Sequence, residues 1–437
     1  MINFTDEQEA LIREAIVWYH TPSDQVFEYS APAGAGKSTV MHAIIEALGL
    51  KESEVAPMAY TGAASVIMRR NGFLNARTIH SWIFTPLNQS ELAEILGRND
   101  KKYLEKYGKF KFKGFDSYQQ DTIKLICIDE AAQVSRDIVN LILMLGKKII
   151  ACGDLNQLPP VIGEPGFLNP EKHEVYFLTK IMRQAEGSPI VQIANCVKNG
   201  YVPPFGQYGR TFVIPDHLFK NRDIFANILK DTNYTVLTGY NRTRDDINYL
   251  VRHSLFGVPE YMKVPFMGEK LICRTNDWTV EKDGINLVNG LIGNCMANIN
   301  ITSMDMNRAF PTFKLLFKPL FMQEPFDAVR CDYRYMVESY KDRREALLQY
   351  ERQILKYKAS ASRLGEKFEY AYAITVHLSQ GSQFDCGVYY QEPMGRNPGD
   401  LFSRQINYTA VTRFKNFFIY VVPDRHPLFM AAYIVNK

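Results

Sequence analysis

Ala31-Pro32-Ala33-Gly34-Ala35-Gly36-Lys37-Ser38 stands between an apolar run at 26–29 and a helical pattern at 39–48. A strand, a glycine-rich turn and a helix in that order form a loop that holds phosphate groups. Gly34 and Gly36 let backbone N–H groups converge on the anion, and Lys37 is long enough to reach the β- and γ-phosphates. Ser38 offers a hydroxyl to Mg²⁺. The predicted cradle is Ala33, Gly34, Ala35, Gly36, Lys37, Ser38 and Thr39. Ala31 occupies a position where glycine is usual, but that residue mainly ends the strand. A glycine-rich turn with no ligand is the competing account, and the strand–loop–helix context argues against it.

Two further segments carry the same theme. Ile126-Cys127-Ile128-Asp129-Glu130-Ala131 is an apolar run ending in two acids, as when a buried strand delivers carboxylates at its C-terminal edge. Asp129 is then the Mg²⁺ ligand and Glu130 the base that positions and deprotonates an attacking water. A small-molecule kinase has no use for this pair, whereas a hydrolase has. Gly153-Asp154-Leu155-Asn156-Gln157-Leu158-Pro159-Pro160 also follows a strand-like run. Gln157 is placed there to touch the γ-phosphate, although a plain Gly/Asp/Asn/Pro turn reads the same way in isolation. Upstream, Phe4-Thr5-Asp6-Glu7-Gln8 begins a helix. Thr5 caps it above an acidic first turn. The Gln8 amide carries a donor and an acceptor together and so suits an adenine edge.

Around these segments the chain alternates short apolar runs with helical patterns, which predicts parallel sheets flanked by helices. Strands are expected at 26–29, 55–59, 125–128 and 148–151, then at 234–238, 371–375, 386–390 and 417–422. They suggest one sheet in each half of the 437 residues, a length sufficient for several domains. Residues 83–121 and 299–369 interrupt the halves. The first contains Lys109-Phe110-Lys111-Phe112-Lys113, an alternation that predicts a hairpin; the second contains a charged helix candidate at 335–358. Net charge is only +4, so any track for nucleic acid has to be local. The seven cysteines are widely spaced with no C-x-x-C pair, which disfavours a zinc site or a disulfide framework. With no signal peptide and no apolar run of spanning length, a soluble cytoplasmic protein is expected.

In this order the motifs resemble the superfamily 1 DNA helicases, in the B branch with RecD-like and phage Dda-like members. Tyr60-Thr61-Gly62-Ala63-Ala64 resembles the family's DNA-contact motif, and Arg77-Thr78-Ile79-His80-Ser81 its T-I-H motif. Leu178-Thr179-Lys180-Ile181-Met182-Arg183-Gln184 resembles the motif bearing one arginine finger. Val288-Asn289-Gly290 with Gly293 resembles the N-G-x-x-G turn. Thr375-Val376-His377-Leu378-Ser379-Gln380-Gly381-Ser382-Gln383 resembles the DNA- and ATP-contacting motif of the second core. Tyr408-Thr409-Ala410-Val411-Thr412-Arg413 resembles the last motif, with the second finger. The likeness runs from 4 to 413. Leu378 stands where relatives often carry lysine, and Gln383 where many carry glutamate.

The resemblance implies an α/β fold with two RecA-like P-loop NTPase cores and small inserted β-rich domains. Core 1 would comprise 1–82 and 122–187, with 83–121 as an insert that serves as a wedge or pin. Core 2 would comprise 188–298 and 370–437, with 299–369 as an SH3-like insert carrying the charged helix. It implies ATP and Mg²⁺ as cofactors, with ATP between the cores. Lys37, Glu130, Gln157, Arg183 and Arg413 would be catalytic, Gly381 and Gln383 would touch nucleotide, and Thr61, Thr78, His80, Thr375 and His377 would grip DNA. Those threonines also read as helix caps, and both histidines as structural residues. The implied activity is unwinding or translocation, 5′ to 3′, in replication, recombination or repair. The implied partners are single-stranded DNA and fork or tailed duplexes, with a single-strand-binding or replisome protein, acted on by a monomer. An RNA helicase shares the same cores, and matched RNA and DNA oligomers separate the two. A non-catalytic single-strand-binding protein is the remaining alternative, and the full set of catalytic residues argues against it.

Overall fold

The computed structural model describes residues 4–98 save 23, 33 and 88; 110–180 save 172 and 173; 188–219; 234–299 save 260, 261, 263 and 284; 312–332; 336, 345 and 348; 365–394; and 399–423. Of the expected site residues, Ala33 and Arg183 lie outside these, as does nearly all of the charged helix candidate at 335–358. The chain divides into two compact units, 1–191 and 192–437.

The first unit is built on β1 (Val26–Ser30), β2 (Val55–Ala59), β3 (Arg77–Thr78), β4 (Phe84–Pro86), β5 (Phe110–Phe112), β6 (Leu125–Asp129), β7 (Lys148–Gly153) and β8 (Val175–Phe177). Six of them form one sheet in the order β3-β2-β6-β7-β1-β8, and every pairing in it is parallel. Side chains on a strand alternate faces, and the sequence uses both. Leu125, Cys127, Ile150 and Cys152 join Phe27 and Tyr29 in one buried cluster, with Leu11 and Trp18 of α1 (Asp6–His20) and Ile44 of α2 (Lys37–Ala47). Ile126, Ile128, Ile149 and Ala151 join the opposite cluster, with Ile79 and Trp82 of the short helix Ile79–Ile83 and Ile138 and Ile142 of Arg136–Leu143. Burial on both faces is why these strands read as continuous apolar runs.

Within 83–121 the expected hairpin forms: β4 and β5 pair antiparallel, Phe84 opposite Phe112. Phe110, Phe112 and Phe115 pack, partly buried, against the second of those clusters.

The second unit holds β9 (Gly206–Tyr208), β10 (Thr211–Pro215), β11 (Thr235–Thr238), β12 (Lys270–Cys273), β13 (Asp277–Lys282), β14 (Ile285–Leu287), β15 (Ile292–Ile299), β16 (Thr312–Pro319), β17 (Phe326–Asp332), β18 (Phe368–Tyr370), β19 (Ala373–Thr375), β20 (Phe384–Tyr390) and β21 (Phe414–Val422). One sheet runs β19-β11-β20-β21-β10-β9, parallel except for the β9–β10 edge. A separate antiparallel sheet runs β17-β16-β15-β12-β18. This second sheet takes β12 and β15 from the stretch 270–299 and pairs them with β18 and β16, while β13 and β14 pair with each other. The two sheets are joined by buried polar contacts. The Lys270 ammonium donates to Tyr234 O at 3.1 Å and Thr235 Oγ1 at 2.6 Å. Arg252, fully buried, pairs with Glu269 at 2.8 Å and lies over the Tyr370 ring. Among the described residues no helix is long and apolar enough to cross a membrane.

Candidate nucleotide site and nucleic-acid contacts

The C-terminal ends of β1, β6 and β7 deliver the predicted nucleotide residues to one edge of the first sheet. Gly34 and Gly36 both take left-handed φ, 87° and 86°, which only glycine adopts without strain. Gly36 caps α2, so Lys37 and Ser38 fall in its first turn, where N–H groups lack intrahelical partners. The loop is fastened on three sides. Ala31 N donates to Gly153 O at 2.8 Å, Tyr29 Oη donates to Lys37 O at 2.9 Å, and Gln8 Nε2 donates to Ala35 O at 3.0 Å.

Gln8 shows how local sequence sets this up. Thr5 and Gln8 form a reciprocal capping box at the start of α1. Thr5 N donates to Gln8 Oε1 at 3.0 Å, which leaves the amide nitrogen for the phosphate loop. Gln8 is buried, and its side chain ties α1 to the loop. A β-carbon at Gly36 would come within 2.7 Å of Gln8 Nε2, so the glycine also makes room for this contact.

The charges gather around Lys37. Burial alone would push its ammonium down, but the carboxylates of Glu130, Asp129 and Asp154 outweigh that and hold it above the ordinary lysine value. Burial raises the Asp129 carboxyl, opposed by Lys37 and reinforced by Glu130. Asp129 Oδ1 accepts from Glu130 N at 2.8 Å and from Cys152 Sγ at 3.4 Å. Glu130 has φ 54° and ψ 39°, a left-handed conformation that a non-glycine residue holds at a cost of order 1–3 kcal/mol. Gly153 keeps β7 close to the turn after Glu130: a β-carbon there would lie 3.0 Å from Ala132 N and 3.2 Å from Ala131 N.

Gln157 is 2% exposed, and among the described residues neither atom of its amide has a hydrogen-bond partner. A buried amide with both ends unsatisfied is costly unless a ligand completes it. Asp154, fully buried beside it in sequence, accepts from Asn156 N and Nδ2 at 3.0 Å. Asp154 has no assigned part in the motif at 153–160. Its signal was an acid directly after a core strand. Asn71 was missed altogether: its Nδ2 donates to Ser38 Oγ at 3.4 Å from 33 residues away, a contact no local pattern announces.

In the first unit the expected DNA contacts occupy helix starts. Thr61 Oγ1 accepts from Ala64 N at 3.2 Å, capping α3 (Gly62–Arg70). Thr78 Oγ1 accepts from Ser81 N at 3.1 Å, capping Ile79–Ile83, and is buried. His80 stacks on Phe84 with ring centroids 4.9 Å apart, and burial lowers its pKa. In the second unit Thr375 Oγ1 accepts from Leu378 N at 3.3 Å. Burial likewise lowers His377, which lies near Phe402. Gly381 is left-handed at φ 75° and Gln383 is exposed. The buried Arg413 donates from Nε to Thr409 O at 3.2 Å and from Nη1 to Ser382 O at 3.3 Å, so the last motif is tied to the 375–383 segment.

Residues 3–212 match the AAA domain family, and residues 370–415 match the UvrD-like helicase C-terminal domain family. The ATP-dependent DNA helicase PIF1 of Candida albicans is 24% identical over 233 residues, 46% of this chain and 23% of its own length. The ATP-dependent RecD2 DNA helicase of Deinococcus radiodurans is 29% identical over 180 residues, 40% of this chain and 22% of its own. The chain thus covers less than a quarter of either curated relative. Two solved structures share the fold over the whole chain and 98% of their own, each at 17% identity. One is of two coordinating Pif1 helicases at forked double-stranded DNA, TM-score 0.53, and the other is Bacteroides Pif1 bound to single-stranded DNA, TM-score 0.52. With a match to the AAA domain family over 3–212 and to the UvrD-like helicase C-terminal domain family over 370–415, the chain is similar to the Pif1 and RecD2 DNA helicases.

Proposed function

We propose that this protein is an ATP-dependent DNA helicase or translocase that moves on single-stranded DNA and opens fork or tailed duplexes. The observation that carries the reading is the cluster at the edge of the first sheet. There a phosphate loop, a lysine among three carboxylates and a buried glutamine unpartnered among the described residues share one site. The residues present fit a Mg²⁺–nucleotide. Gly34 and Gly36 hold the loop open to phosphate, and Ser38 and Asp129 would hold the metal. Mg²⁺ keeps several waters and takes few protein ligands, so one hydroxyl and one carboxylate suffice. When bound, it neutralises charge on the phosphate oxygens.

The chain's own residues have distinct parts in this proposal. Lys37 pairs with the terminal phosphates. Glu130 orients the attacking water and takes its proton, with its carboxylate aimed by the left-handed backbone. Gln157 completes its amide against the γ-phosphate. Arg183 and Arg413 stabilise charge that develops during transfer, a contribution of about 10³–10⁵ in rate for fingers of this kind. Gln8 steadies the loop through Ala35. Gly381 and Gln383 are assigned to the nucleotide, and Thr61, Thr78, His80, Thr375 and His377 to DNA. Movement from 5′ to 3′, and a place in replication, recombination or repair, are part of the proposal and are supported only by the likeness to the Pif1 and RecD2 helicases.

Steady-state ATP hydrolysis with and without a single-stranded DNA oligomer tests the reading. Wild type should be stimulated by DNA, and Glu130→Gln should lose both basal and stimulated rates while still binding ATP. Stimulation by a matched RNA and not by DNA would reassign the polymer. A rate indifferent to Glu130 would remove the motor reading.

A further inference from the structure

Gln133 has no part in the scheme above, and packing does not explain it. It ends the 3₁₀ turn Ala131–Gln133 that follows Glu130, is 2% exposed, and among the described residues its Oε1 has no hydrogen-bond partner. A side chain of similar volume without polar atoms would fill the same space without an unsatisfied carbonyl. The other end of the amide is engaged: Nε2 lies 3.5 Å from Glu130 Oε2, near the outer limit for a hydrogen bond. Turning the amide over would set its oxygen against a carboxylate oxygen, so the nitrogen faces Glu130 on electrostatic grounds.

The backbone presets this contact. Gln133 N donates to Glu130 O and Val134 N to Ala131 O, both at 3.1 Å. Gly166 N donates to Val134 O at 2.9 Å, and Gly153 admits β7 against Ala131 and Ala132 from the other side. A turn held at both flanks fixes where the Gln133 side chain points. Among the described residues its side-chain hydrogen bond there goes to the Glu130 carboxylate, whose backbone is already left-handed.

We infer that Gln133 is a positioning residue for Glu130, holding one carboxylate oxygen so that the other faces the water to be activated. The inference rests on the reading of Glu130 as the catalytic base. A donor that fixes a reacting group matters because misplacement by about 1 Å can cost about 10²-fold in rate.

The test is Gln133→Met in the full chain, with Glu130→Gln measured beside it. The expected result is a DNA-stimulated kcat lowered by about 10- to 100-fold, with KM for ATP unchanged and a Tm equal to or above wild type. That combination separates positioning from packing, since a merely structural glutamine would lose stability when replaced. In the Glu130→Gln background the second substitution should cost nothing further, because it acts through Glu130. A normal kcat in Gln133→Met, with Glu130→Gln inactive, overturns the inference and leaves the helicase reading standing. A lowered Tm with weakened ATP binding also overturns it. Full activity in both variants removes the reading on which it rests.

Discussion

Glu28 carries an electrostatic cost in the strand that leads into the phosphate loop. It is 3% exposed, and its hydrogen bond comes from Leu168 N at 2.8 Å. Burial raises its pKa to about 7, only partly offset by that bond. The folded state therefore binds a proton that the unfolded chain releases near 4.5, and stability falls as pH rises from about 4.5 to about 7. The full drop is up to about 3 kcal/mol at 1.36 kcal/mol per unit. Glu28→Gln keeps an acceptor for Leu168 and abolishes the titration. The variant should match wild type near pH 4.5 and exceed it at pH 8 by up to about 3 kcal/mol. Two of the three tryptophans, Trp18 and Trp82, sit in the same unit, so denaturant unfolding followed by fluorescence at the two pH values reads the effect. An unchanged pH slope in the variant would show that Glu28 is not the group responsible. Glu366, also raised to about 7 by burial, adds the same sign in the second unit and stays in both proteins.

Elements that sequence alone could place are those whose reason is local. The strands β2, β6 and β7 are legible because runs such as Leu125-Ile126-Cys127-Ile128 are buried on both faces. The helix starts are legible because Thr5, Thr61 and Thr78 satisfy N–H groups three residues away. The antiparallel sheet is not legible locally because its pairing is distant: β12 pairs with both β15 and β18, about 20 and 100 residues on. The same limit hid Asn71 and the direction of Gln133. Gly290 and Gly293 illustrate both cases. The N-G-x-x-G reading foresaw a turn, and Gly290 is left-handed there, φ 94°. Gly293 has a different reason: on β15 a β-carbon would lie 2.2 Å from Lys318 O and 2.7 Å from Pro319 Cα. Backbone on a paired strand cannot yield cheaply, so Gly293→Ala should destabilise the second unit by about 1–3 kcal/mol or more. Gly290→Ala should cost about 1–2 kcal/mol through its φ alone. Unfolding midpoints measure both, with ATP binding by the first unit unaffected. A neutral Gly293→Ala would mean that β15 and β16 are not held in this register.

At the scale of the whole molecule, charge decides how DNA can be held. The net charge is +4 across 437 residues, and every proposed DNA contact is uncharged near neutral pH. Thr61, Thr78 and Thr375 carry hydroxyls, and burial lowers the pKa of both His80 and His377, which keeps their imidazoles neutral. Hydrogen bonds from neutral donors do not release counterions as ion pairs do. For single strands the slope of log affinity against log salt is about −0.7 for each phosphate neutralised. If these five residues form the main grip, that slope should be no steeper than about −2 and should be the same at pH 7 and pH 8. Fluorescence anisotropy of a labelled single strand between 50 and 300 mM salt, about the range where steep binders lose most of their affinity, measures it. A slope of about −4 or steeper would require a cationic track made by lysines and arginines outside the motifs. The motif residues would then set where the strand lies, while that track supplied most of the affinity.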